Sequence, residues 1–197
     1  MTMKSKDDEI LSDSVIRSPH KKRKNLSMRK KDNLNEGVKI WCTYFRKNLH
    51  RFAIDYLGLD LFPFQMIMLY LMNIMYSTCF ICARGLSKSY TTAIFLVCRA
   101  ILFPNQLLIV SCVTKQQARN LIEGKIVKEL MVKSPTLRQE IAYNGVKLSA
   151  NECSISFKNG SVVTAINASD NQRGRRCHIL VVVCLPRYEY KRNKSYL

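Results

Sequence analysis

Between Thr78 and Leu102 a short apolar segment, Thr78 to Ile81, leads through Cys82-Ala83-Arg84-Gly85-Leu86-Ser87-Lys88-Ser89 into a helix-like stretch that opens at Tyr90. An apolar strand, a tight turn ending in Lys-Ser and then a helix is the layout of a phosphate-binding P-loop. Such a loop curls successive backbone N–H groups around phosphate oxygens, and the N-terminus of the following helix adds positive potential. Lys88 is then placed to reach the β- and γ-phosphates and the Ser89 hydroxyl to sit on Mg²⁺. The strict pattern has glycine where this chain has Cys82 and Ser87, so Gly85, Lys88 and Ser89 carry the loop signature. An ordinary basic turn between a strand and a helix accounts for the same residues.

The chain has 197 residues, 47% of them hydrophobic, which allows one domain with a real core plus tails. A formal net charge of +18 points to a polyanionic partner. The eight cysteines do not organise into a site. Cys79 and Cys82 make one CxxC without a second pair, and His20, His50 and His178 are scattered, so no zinc spacing is completed. Cys98 and Cys112 lie in apolar runs and read as buried thiols, a usage that fits a reducing cytoplasm. The polar N-terminus lacks the apolar core of a signal peptide. Phe64 to Met75 is too short for a membrane span and carries Gln65 and Asn73. The expectation is a chain with no membrane association.

Residues 1–36 are polar and basic, with clusters at Lys21, Lys22, Arg23 and Lys24 and again at Arg29 to Lys31. Few apolar residues are present to offset ordering entropy, which predicts a disordered basic arm. Order is predicted from Val38 onward, with Trp41, Tyr44, Phe45, Leu49, Phe52 and Ile54 to Leu57 at helical spacing. Pro63 suits the first turn of a helix over Phe64–Met75. Beyond the loop and its helix, Pro104-Asn105 makes a turn and Leu107 to Cys112 reads as a buried parallel strand. Thr114 caps a helix running to about Val132, with Ala118, Leu121, Ile122, Ile126 and Leu130 on one face, and Ser134-Pro135 ends it. Residues 152–166 predict a hairpin around Asn159-Gly160. Asn171 to Arg176 then leads into an apolar strand at Ile179 to Val183. This alternation predicts an α/β fold: a parallel sheet with flanking helices, strands near 78–82, 107–112 and 178–183, and the hairpin alongside or at the edge. The loop then lies at the carboxyl end of a strand, where ligands bind in such sheets. The domain is drawn over residues 37–183, with residues 184–197 a patternless basic tail.

From about Trp41 to Val182 the chain resembles the N-terminal ATPase region of a tailed-phage terminase large subunit, the motor that packages viral double-stranded DNA. Phe64-Gln65 resembles the family's adenine-binding segment, although a glutamine that merely caps a helix has the same look. Arg84-Gly85-Leu86-Ser87-Lys88-Ser89 resembles the terminase form of the P-loop, with its arginine at Arg84. Ser111 to Lys115, continuing into Gln116-Gln117-Ala118, resembles the segment after the P-loop helix. Arg173-Gly174-Arg175-Arg176 before an apolar strand resembles the approach to Walker B. The resemblance implies a RecA-like P-loop NTPase sheet and the cofactors ATP and Mg²⁺. It implies that Gln65 reads adenine, that Gly85, Leu86, Ser87 and Lys88 cradle phosphate, that Ser89 holds the metal, and that Arg84 neutralises charge at the γ-phosphate. It further implies double-stranded DNA, the small terminase subunit and the portal as partners, and the host cell cytoplasm as location. Lys21, Lys22, Arg23, Lys24, Arg173 and Arg176 are the expected DNA contacts.

One departure is serious. A Walker B strand ends in an Asp that holds the Mg²⁺ shell and a Glu that orients water, whereas Val183 and Cys184 occupy those positions. The expectation is a terminase ATPase truncated before or at Walker B, its sheet incomplete at the C-terminal end and its hydrolysis impaired. Asp8 and Glu9 are too distant in sequence to substitute, and Glu123 and Glu129 are expected to face solvent. The alternative is a noncatalytic basic DNA-binding protein with a vestigial P-loop. A P-loop helicase is disfavoured because the arginine-bearing loop and the Arg-Gly-x-Arg approach occur together.

Overall fold

Helix α1 (Leu26–Lys47) begins well before the predicted onset of order at Val38. Its Lys, Arg, Leu, Met and Glu residues are good helix formers, and Leu34, Val38, Trp41 and Phe45 follow each other at steps of three and four. The computed structural model describes residues 26–83, 85–112, 114–149, 153–167 and 176–183. Most of the predicted arm, 1–25, therefore lies outside the described residues, as does the tail 184–197. The chain divides into two units, 1–40 and 41–197. In the first, the described residues are the helical turns from Leu26 to Ile40, on which Leu34, Val38 and Ile40 are exposed.

In the second unit, α2 (Leu49–Asp55) and α3 (Pro63–Ile74) precede α4 (Lys88–Leu102). Pro63 occupies the first turn of α3, where its missing N–H removes no helical bond. The periodic aromatics gather as predicted: Phe45 and Phe52 lie 5.6 Å apart edge to face, and Phe52 stacks on Tyr56 at 4.8 Å. Beyond β1 (Leu107–Cys112), α5 (Lys115–Asn120), a π-helical segment (Leu121–Leu130) and α6 (Met131–Lys133) run on from one another. The Thr114 hydroxyl accepts the Gln117 N–H at the start, and the predicted face Ala118, Leu121, Ile122, Ile126 and Leu130 is buried. In a π turn, i and i+5 share a face, so Lys128 pairs with Glu123 at 2.9 Å. Ser134 caps α7 (Pro135–Glu140) by accepting from the Leu137 N–H.

The sheet is five-stranded and mixed, not all-parallel. Its order is β2 (Ile141–Leu148), β3 (Cys153–Phe157), β4 (Val162–Asn167), β1, β5 (Ile179–Val182). Strands β4, β1 and β5 are parallel, whereas β2–β3 and β3–β4 pair antiparallel. The hairpin β3–β4 thus lies alongside β1, as predicted. The register aligns Leu108 with Val163 and Ile179, and Val110 with Ala165 and Val181. These residues all belong to, or pack on, one hydrophobic core, while Leu180 and Val182 on the alternate positions of β5 are exposed.

Two further features differ from the sequence expectation. The strand predicted at 78–82 is absent: residues 78–83 are irregular, and Ile81 is 95% exposed. The four-residue run pairs neither with β1, whose edges are taken by β4 and β5, nor with the outer edge of β5. Conversely, β2 was not anticipated, because Asn144-Gly145 in its middle has turn chemistry. There the strand bulges: its register with β3 shifts between Ile141 and Val146, and Asn144 has φ 53°. A Cβ at Gly145 would meet the Ser156 carbonyl at 2.5 Å, so the bulge needs a glycine.

The turn of the β3–β4 hairpin clamps the end of α4. Asn159 Nδ2 donates to the Ala100 and Ile101 carbonyls at 2.7 and 2.9 Å, and Ser161 Oγ donates to the Phe103 carbonyl at 2.8 Å. These bonds satisfy carbonyls that a helix end leaves without partners. Asn159→Ala is therefore expected to lower unfolding stability by about 1–3 kcal/mol in a urea melt, the usual cost of stranding part-buried acceptors.

Tyr56 ties α2 to α7 by donating to Glu140 Oε1 at 2.5 Å. Burial first, and then this bond to a carboxylate, push its phenol up to about 12. Because the protonated phenol is the favoured form in the folded chain, its contribution is complete below the ordinary value of about 10 and is lost as pH rises through about 12. An ultraviolet phenolate titration should show one tyrosine ionising late, and Glu140→Gln should return it toward the others.

Candidate functional site

The loop after residue 83 is shaped by two positive φ angles. Gly85 has φ 86° and Ser87 has φ 48° with ψ 25°, in the left-handed region. Ser87 stands where the P-loop pattern prefers glycine, and it adopts the conformation that glycine would supply. The Ser87 N–H donates to the Gly85 carbonyl at 2.8 Å, and the Ser87 carbonyl accepts the Thr91 N–H at 2.9 Å, the first helical bond of α4. The chain therefore turns tightly into the N-terminus of a fifteen-residue helix.

Lys88 folds back across this turn. Its ammonium donates to the Cys82 carbonyl at 2.8 Å and the Ala83 carbonyl at 2.6 Å. These are neutral acceptors, so the charge stays uncompensated and available to an anion at the same place. Ser89 is half-buried beside it.

The loop forms one wall of a cleft of about 550 Å³. Gly85, Leu86, Ser87, Lys88 and Ser89 all line it, and so does Gln65 from the first turn of α3. The structure thus brings together every described member of the predicted nucleotide set; Arg84 lies outside the described residues. Gln65 is buried, and its Oε1 accepts the Phe62 N–H at 2.9 Å. That bond is the helix-capping role, and it leaves the amide nitrogen as the group with donors to spare.

The opposite wall was not foreseen. Lys125, Glu129 and Lys133 project into the cleft at steps of four, with Tyr90, Phe62 and Asp60 completing the lining. Glu129 accepts from Lys125 at 2.8 Å and Lys133 at 3.3 Å. The Lys125 hydrogen bond, supported by Lys133, holds the Glu129 carboxyl below the usual range. Lys133 also sits 4.9 Å from the centre of the Tyr90 ring, a cation–π contact. Glu129 thus lines the cleft with its side chain part-exposed, and Glu123 is engaged by Arg119 and Lys128. The i, i+4, i+8 ladder of opposite charges was visible in the sequence. What joins it to the loop is only the packing of the π segment against α4.

The other predicted positions lie elsewhere. Val183 continues from β5, its N–H donating to the Ser111 carbonyl at 3.0 Å, and Cys184 is outside the described residues. Arg176 is exposed, whereas Lys21, Lys22, Arg23, Lys24 and Arg173 fall outside the described residues. Among the described residues, no group of three or more His, Cys, Asp or Glu side chains comes together to hold a metal ion. Nor is any described helix long and apolar enough to cross a membrane. No protein-family model matches this chain, and no curated protein matches it.

The strain at Ser87 can be tested. A left-handed conformation costs a non-glycine residue about 1–2 kcal/mol, partly offset by the greater freedom glycine has when unfolded. Ser87→Gly should therefore raise unfolding stability by about 0.5–1 kcal/mol in thermal or urea melts. Ser87→Val, β-branched, should lower it.

Proposed function

We propose that this chain is a nucleotide-binding module of the terminase large-subunit type, acting in ATP-driven packaging of viral double-stranded DNA. The observation that carries the reading is the convergence of Gln65 with Gly85, Leu86, Ser87, Lys88 and Ser89 on one cleft. Donors and cations suited to a triphosphate meet there with an aromatic and an amide suited to a base. The fit rests on the chemistry of that lining. Lys88 exchanges its two neutral carbonyl acceptors for phosphate oxygens, the turn presents backbone N–H groups with the α4 N-terminus behind them, and Ser89 contributes a hydroxyl to Mg²⁺. Arg84 adds charge at the terminal phosphate. ATP supplies the phosphoanhydride bond; the chain's part is to bind, orient and neutralise charge.

Lys125 and Lys133 add two cations on the far wall, each already paired with Glu129. Glu129 is thus held as a counter-ion to lysines rather than as a water-orienting base. With Val183 and Cys184 at the Walker B positions, binding outlasts hydrolysis. The DNA partner is met by the basic residues Lys21, Lys22, Arg23, Lys24, Arg173 and Arg176, with the small subunit and portal as further partners and the host cytoplasm as the setting.

A second reading, a noncatalytic basic DNA-binding protein with a vestigial loop, is favoured by one observation: among the described residues no strand precedes the loop. Fluorescent-nucleotide titration separates the two. The first reading expects Lys88→Ala to weaken ATP binding at least about tenfold, the loss of a charged hydrogen-bond donor, and Gln65→Ala to relax preference for ATP over GTP. Equal affinity in Lys88→Ala favours the second. Steady-state turnover should be negligible beside a Val183→Asp/Cys184→Glu double variant; robust Lys88-dependent turnover by the unmodified chain would place the catalytic carboxylates elsewhere.

A further inference from the structure

A second pocket, of about 470 Å³, opens where the C-terminal ends of α1, α3 and α4 approach one another. Its charged lining is Arg46, Lys47 and Arg99, accompanied by the amides of Asn48 and Asn73, and it includes no carboxylate. Two guanidiniums share one aromatic ring: Arg99 lies 3.9 Å and Arg46 5.0 Å from the centre of Phe103. Burial removes water from the Arg99 guanidinium, which makes its charge costly to keep.

The internal hydrogen bonds do not discharge this concentration. Arg46 Nε donates to the Leu102 carbonyl at 3.0 Å, and Arg99 donates through one Nη to Asn73 Oδ1 at 3.2 Å. Asn73 in turn donates to the Arg46 and Lys47 carbonyls. Every acceptor here is a neutral amide. Arg99 Nε is buried with no partner among the described residues, and burial lowers the guanidinium's affinity for its proton. The Lys47 ammonium is exposed and makes no hydrogen bond or ion pair among the described residues. The pocket therefore gathers two guanidiniums on a rigid aromatic base and a lysine at its rim. Arginine and lysine are the side chains that hold tetrahedral oxyanions.

We propose that this pocket binds a phosphate group, separately from the cleft at Gly85–Ser89. Its source is either the backbone of a nucleic acid or free phosphate, and the net charge of +18 makes a polyanion the closer match.

The test uses the full chain and its Lys88→Ala form, so that the loop does not account for the result. One arm follows fluorescence anisotropy of a 30-base-pair duplex over a salt series. The other follows melting temperature against inorganic phosphate, with chloride at matched ionic strength. Lys47→Gln and Arg99→Gln should each weaken duplex binding about tenfold and reduce the log–log salt slope by about one, while Lys158→Gln, remote and exposed, changes neither by as much. A response in the duplex arm assigns the backbone, and one confined to the phosphate arm assigns free phosphate. The proposal is overturned if both variants match the parent in both arms, or if Lys158→Gln has the same effect. An effect of Arg99→Gln without one from the exposed Lys47→Gln also overturns it, because packing alone would then be responsible.

Discussion

Burial of α4 is the constraint on which the rest of the second unit depends. From Thr91 to Leu102 the helix has nine buried residues, including Ile94, Leu96, Val97 and Cys98 at zero exposure. It packs against α2 and α3 on one side and the π segment on another, and its C-terminus is pinned by Asn159 and Ser161. Cys98 is so enclosed that its thiol is pushed far above the ordinary range, which makes it a packing residue and not a reactive one. A helix held this firmly fixes the position of its first turn, and with it Lys88 and Ser89.

The cleft is consequently anchored from behind. In the arrangement expected from sequence, a strand would hold the front of the loop as well. Here the residues before it are irregular and exposed, and the loop's shape comes from Gly85, Ser87 and the folded-back Lys88. The far wall is held independently by Lys125, Glu129 and Lys133, so the two walls meet through helix packing and not through a shared strand end. Whatever enters the cleft meets cations from both sides, and the carboxylates facing it are Glu129, already committed to lysines, and Asp60.

Much of this was legible from local chemistry. Thr114 and Pro63 marked helix starts because capping is a property of adjacent residues, and Leu107–Cys112 and Ile179–Val182 declared themselves as apolar runs bounded by turns; Ser134-Pro135 was read only as a helix end, and it also starts α7. The failures came where a decision is made at long range. Thr78–Ile81 has strand composition, yet a strand also requires pairing with a neighbour, and composition does not reveal whether that pairing is made. Ile141–Leu148 has turn residues at its centre, and only the bulge against β3 shows why Asn144 and Gly145 are tolerated within a strand. Gln65 was visible both as a cap and as a base reader; its bond to Phe62 is the cap, and the same residue also lines the cleft.

The π segment carries a mechanical consequence for the cleft. Lys125 and Glu129 lie within it, whereas Lys133 lies just beyond its end in α6. Hydrogen bonds there skip five residues instead of four, so the winding of the rod is one residue out of phase with the α-helices that bracket it. Sliding the junction at Leu130–Met131 by one residue would exchange one residue of π winding for one of α winding, and would turn Lys133 about the rod axis by only roughly 20°, the difference between the two twists. So small a rotation keeps the ammonium close to Tyr90 and on the same wall as Lys125 and Glu129. The charge that this wall presents is thus tolerant of a change of winding.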